Sequence, residues 1–121
     1  MHATSENVIG TINEAVMEAS RTAALDVAAW LLIPGLAGQN VSLSVLYDDG
    51  RDHHEVLIDE GEVDSNHRIL LANITQLPLQ TSHEPARARV VLRSPKLTRG
   101  VVVESLYVKP IEPRSLLRSA N

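Results

Sequence analysis

An α+β fold, with one long N-terminal helix packed on an antiparallel sheet of about four strands, is what this 121-residue sequence predicts. Three observations predict it. Apolar residues recur at three- and four-residue steps up to Trp30, the period drops to two near residue 40, and a turn-rich stretch lies between two alternating runs. The expected element order is α-β-β-α-β-β, with a second helix at 66–77. Residues 1–109 read as a single α+β domain, and 110–121 as a C-terminal tail whose prolines and polar residues mark a loosely held segment.

The first helix spans 11–33. Thr11-Ile12-Asn13-Glu14 has capping-box spacing, with Ser5 as an earlier candidate cap. Ile9, Ile12, Val16, Ala19, Ala23, Val27 and Trp30 then paint one apolar stripe, while Glu14, Glu18, Arg21 and Asp26 occupy much of the remainder. Pro34-Gly35 ends the helix, because proline cannot continue its hydrogen-bond ladder and glycine accepts the left-handed terminal conformation. The hairpin follows. Val41, Leu43, Val45 and Tyr47 share one strand face, Asp48-Asp49-Gly50-Arg51-Asp52 supplies turn chemistry, and His54 to Asp59 returns with Val56 and Ile58.

Asp64-Ser65-Asn66 then precedes Ile69, Leu70, Leu71, Ile74 and Leu77, and these capping residues with the 70, 74, 77 spacing favour a helix stopped by Pro78. A strand is the alternative, since His67 to Leu77 tolerates a period of two and Ile74 and Thr75 are β-branched. That alternative would make the domain a β-sandwich with an N-terminal helix. Two strands close the chain. Ala86, Ala88, Val90 and Leu92 share a face of the first, opposite Arg87, Arg89, Val91 and Arg93, and Val101 to Val108 is the second.

Composition narrows function. Aromatic residues are one Trp and two Tyr with no Phe, too few for a base-stacking platform on an open sheet. A formal charge of −4 excludes a generally basic nucleic-acid coat but leaves room for a local basic stripe. The absence of cysteine excludes a disulfide framework, a thiolate metal site and a cysteine nucleophile. No signal-peptide pattern opens the chain, and the apolar run from Val27 to Ala37 is about half of the ~20 residues a membrane span needs. A cytoplasmic protein with no membrane association is expected.

No nucleophile motif, phosphate-cradling glycine loop or zinc signature is present, so an enzyme, a cofactor and a metal are not expected. His53-His54-Glu55 beside Asp48, Asp49 and Asp52 invites a metal, but adjacent strand residues face opposite ways, and a solvated hairpin end explains the cluster better. Arg87, Arg89 and Arg93, extended by Lys96 and Arg99, are the strongest chemical feature. Alternate guanidiniums at ~3.3 Å per residue can follow phosphates, and they equally suit an ordinary solvent-facing sheet surface.

Ala28-Ala29-Trp30-Leu31, Leu43 through Arg51 and Ala86 through Leu92, in the order helix, strand, strand, helix, strand, resemble the little-finger domain of Y-family DNA polymerases. The likeness is to the form found in the catalytically inactive polymerase-like members of mutagenesis cassettes. It implies a DNA repair accessory that holds template DNA by backbone contacts on its sheet, with Arg87, Arg89 and Arg93 on that surface and no chemistry of its own. Gln76, Leu77 and Leu79 resemble part of the peptide with which bacterial polymerases dock on the sliding clamp. Two functions from different classes are therefore expected: a DNA-binding accessory module, or a structural or protein–protein interaction subunit of a small assembly, such as a phage-type or homo-oligomeric one. A strand at 66–77 would favour the second.

Overall fold

The computed structural model describes residues 5–12, 24–48, 53–75, 87–95 and 100–111, and in them the chain is all β. Seven strands run in order: β1 Ser5–Ile12, β2 Ala24–Leu32, β3 Asn40–Asp48, β4 His53–Glu62, β5 Arg68–Thr75, β6 Arg87–Ser94 and β7 Val102–Ile111. They form two antiparallel sheets, four-stranded β1-β6-β3-β4 and three-stranded β5-β2-β7. Among the described strands only β3 and β4 are both consecutive and paired, and the others alternate between the two layers in chain order. This is a β-sandwich.

Each sheet contributes one row set to a shared core. Leu25, Val27, Ala29, Leu31, Ile69 and Leu71 come from the three-stranded sheet, and Ile12, Val41, Leu43, Val45, Tyr47, Ile58, Ala88, Val90 and Leu92 from the other. Fully burying a side chain of the Leu or Val type is worth ~1.5–3 kcal/mol, so this layer dominates stability. The alternation expected for Val41 to Tyr47 and for Ala88 to Leu92 is the alternation observed, with all of those core positions buried.

The helix expected over 11–33 is not formed among the described residues. Thr11 and Ile12 close β1, 24–32 is β2, and 13–23 lie outside the described residues. Segment 24–33 misleads because Ala24, Leu25, Ala28, Ala29, Leu31 and Leu32 are good helix formers. Its operative period is two: Leu25, Val27, Ala29, Leu31 and Ile33 are each 0% exposed, whereas Trp30, expected in the core stripe, is 51% exposed. Pairing along both edges of β2 outweighs intrinsic propensity.

Pro34-Gly35 therefore ends a strand. The Ile33 carbonyl accepts from the Leu36 N–H at 3.3 Å and the Leu36 carbonyl from the Gln39 N–H at 3.0 Å, giving two successive turns. Gly35 and Gly38, each third in its turn, have φ of 83° and 81°, which a side chain would resist. These turns carry the chain from one sheet to the other.

The second helix, expected at 66–77, is likewise a strand from Arg68 to Thr75. Asp64 does accept backbone N–H groups, as an N-cap would: its Oδ1 takes those of Asn66 at 2.8 Å and Arg68 at 2.9 Å. The chain then reverses instead of winding, with His67 at φ 63° and its N–H donating to the Asp64 carbonyl at 3.0 Å. A capping residue and an Asx turn share the same local chemistry. The boundary of the expected tail also moves, because Pro110 and Ile111 pair with Leu25 and Ala24 at the end of β7. Proline is tolerated there because β7 is an edge strand.

Candidate functional site

The expected arginine row falls on the outer face of the four-stranded sheet. Ala88, Val90 and Leu92 point into the core, which turns Arg89, Val91 and Arg93 outward, while Arg87 stands in register with Asp48. Arg93 is held by carboxylates from both sides. Its Nη2 and Nε donate to Glu55, the latter at 3.2 Å, and Nη1 lies 3.3 Å from Glu6 Oε2. The hydrogen bond to Glu55 is the main cause that raises the Arg93 pKa above its ordinary value; desolvation opposes it, and charge attraction to Glu55 and Glu6 adds smaller contributions. Arg89 is exposed beside an open cleft lined also by Glu6, Leu46, Tyr47, His53, His54 and Glu55. Lys96 and Arg99, and the clamp-like Gln76, Leu77 and Leu79, lie outside the described residues.

The middle of this face is not open. Ser44 and Val91, register partners on β3 and β6, are 1% and 0% exposed. His54 stacks on Tyr47 with ring centroids 5.0 Å apart, and both His53 and His54 line the cleft beside Arg89. Among the described residues no three His, Cys, Asp or Glu side chains are grouped to hold a metal ion, and no helix is long and apolar enough to cross a membrane.

The four-stranded face also exposes Val8 and Leu57, at 50% and 52%, but the three-stranded sheet exposes a larger group of big apolar side chains. Because the odd residues of β2 fill the core, Asp26, Ala28, Trp30 and Leu32 face outward. Register places Leu70, Ala72 and Ile74 of β5 beside Trp30, Ala28 and Asp26, and on the other flank Ser105, Tyr107 and Lys109 of β7 beside the same three. Trp30, Leu70, Ile74, Val102 and Tyr107 are between 44% and 51% exposed. These side chains form one contiguous apolar surface spanning all three strands. Sequence reasoning missed it by placing Trp30 inside; the signal that was there is that β2 and β5 are apolar at both odd and even positions.

Charges sit at both ends of the surface. A bulge in β7, where Ser105 and Val103 pair with consecutive residues of β2, inserts Glu104, whose Oε1 accepts from Arg68 Nε at 3.0 Å across the top row. Asp26 and Lys109 stand in register in the bottom row. Arg68 and Lys109 balance Glu104 and Asp26, so the face is neutral on a chain of net charge −4.

The outer edge of the same sheet is protected. Asp59 Oδ2 accepts the Ala72 N–H at 3.0 Å and Asn73 Nδ2 donates to the Ile58 carbonyl at 3.0 Å, so β4 blocks strand addition along β5. The flat face is thus more open to a partner than that edge. No protein-family model, no curated protein and no solved structure matches this chain.

Proposed function

We propose that this protein is a non-catalytic interaction module, a structural or assembly subunit that docks a protein partner on the outer face of its three-stranded sheet. The observation that carries the reading is the contiguous exposed surface of Trp30, Leu70, Ile74, Val102 and Tyr107. Large apolar side chains grouped on one sheet face, with charges only at the ends, have the anatomy of an interface core and rim. A cytoplasmic location accords with a chain that contains no cysteine.

Support for the DNA-backbone reading is weaker. Arg93 spends its charge on Glu55 and Glu6, and Glu6 and Glu55 also line the cleft beside Arg89, so phosphates would meet carboxylates on that face. The strand at 68–75 also removes the helix on which the little-finger element order depended.

A photoreactive residue placed at Leu70 should yield protein adducts in the native host, whereas one at Ser42 on the four-stranded face should yield none. Absence of any protein adduct at position 70 would end the interaction reading. Nucleic-acid adducts at position 89 would reinstate the arginine face.

A further inference from the structure

Resting on the interaction reading above, we infer that the partner is a second copy of this chain, bound face to face about a two-fold axis that crosses the three strands at the level of Ala29. The register contains the argument. Counting outward along β2 from Ala29, Trp30 lies one step above and Ala28 one step below, and their β5 neighbours are Leu70 and Ala72. On β7 the corresponding residues are Ser105 above and Tyr107 below. Every strand therefore offers one large and one small outward residue at equal distances from this level.

A two-fold axis running across the strands exchanges above for below while keeping each strand opposite its own counterpart. Trp30 then stands over Ala28 of the second copy, Leu70 over Ala72 and Tyr107 over Ser105. Bulk meets space in all three columns, which is the self-complementarity an isologous interface requires. An axis running along the strands would instead set Trp30 on Trp30.

The charges agree with the same axis. Asp26 and Lys109, in the bottom row, are carried to the top row of the second copy, where Arg68 and Glu104 stand. Lys109 approaches Glu104 in the β7 column, while Asp26 falls over Leu32 and Ile74 over Arg68, so Asp26 and Arg68 meet only diagonally, one strand apart. Two acidic chains meet through their neutral faces, which avoids like-charge repulsion at the contact. Three strands at ~4.8 Å and about eight residues at ~3.3 Å give a plan area near 380 Å² per copy. Two copies give about 760 Å² before side-chain relief, short of the roughly 1,200 Å² at which stable specific interfaces begin, so the dimer should be weak and concentration-dependent.

The test exchanges knob and hole. Sedimentation velocity over roughly 1–200 µM should show wild-type protein passing from monomer to dimer, the range expected of a small interface. Ala28→Trp, which places bulk against Trp30 of the second copy, should remain monomeric throughout. The double variant Ala28→Trp with Trp30→Ala keeps the same composition and restores large over small, so it should recover the dimer. Both altered positions point outward, and a urea midpoint at low concentration confirms that each variant is folded. A wild-type monomer across the whole range overturns the inference, as does a double variant no better than Ala28→Trp. Adducts at position 70 with the mass of a different protein would overturn self-association while leaving the interaction module standing.

Discussion

Trp30 and Leu31 are adjacent in β2 and point to opposite sides of the sheet, so truncating each in turn measures the two faces separately. A buried Trp removes up to about 250 Å² from water. With 51% of Trp30 exposed, roughly 120 Å² is at stake, about 3 kcal/mol at ~25 cal/mol per Å². Alanine keeps part of that burial and the denatured chain is itself partly collapsed, which together leave about 1.5 kcal/mol for Trp30→Ala. Leu31 is 0% exposed. Its truncation leaves a cavity as well as losing transfer energy, so Leu31→Ala should cost ~3–5 kcal/mol. The smaller residue should therefore be the more damaging loss. Urea denaturation followed by far-ultraviolet circular dichroism gives both values, at submicromolar protein, below the ~µM range where self-association would add to the apparent stability. A Trp30→Ala cost equal to or above that of Leu31→Ala would put the indole in the core and refute the alternation assigned to β2.

Three further outcomes follow from local geometry. His67, at φ 63° with a buried Nδ1 that lacks a hydrogen-bond partner among the described residues, should be replaced by Asn with a gain of about 0.5–1 kcal/mol and by Val with a loss of at least ~1 kcal/mol, read from urea midpoints. Asp64→Ala strips the acceptor from the Asn66 and Arg68 N–H groups and should cost ~1 kcal/mol, with Asp64→Asn retaining most of it. Arg93→Ala should cost about 1 kcal/mol at low salt and less at high salt, and Arg93→Lys should not restore it because the fork to Glu55 needs a planar guanidinium. Since the Arg93 pKa is raised, its contribution is fully present below the ordinary arginine value and is lost only in strong alkali, so between pH 6 and 9 a titration of stability should show no step from this group.

The hairpin and the last two strands were legible because polar residues interrupt each at alternate positions. Val41, Leu43, Val45 and Tyr47 alternate with Ser42, Ser44 and Leu46, and no helical period fits that run as well. Residues 24–33 and 66–77 were not legible. At the second site the Asp64 carboxylate satisfies backbone donors in the same way whether a helix or a turn follows, so the local signal is degenerate and long-range pairing of β5 with β2 decides. Of the candidate site residues, Arg89 and Arg93 alternate with the buried Ala88, Val90 and Leu92 along β6. Their neutralisation was not visible, because Glu55 is thirty-eight residues from Arg93 in the chain and meets it only through the β6-β3-β4 order.

The failure at β2 and the candidate interface have one cause. A strand covered on a single side keeps polar residues at every second position, and its period can be read. Ala28-Ala29-Trp30-Leu31-Leu32 and Ile69-Leu70-Leu71-Ala72 are apolar on both sides, which erases the period of two and lets a helical spacing through Val27 and Trp30 stand out. In this structure only one of those two sides meets the other sheet. Runs of that kind are at home in strands that are covered twice, so the composition of β2 and β5 itself argues for a second layer over Trp30. A solvent-adapted face would carry charged or hydroxyl side chains at positions 28, 30, 70 and 74, as the exposed position 89 of β6 does on the opposite sheet. The same residues that disguise the strand as a helix are the ones a docked partner would cover.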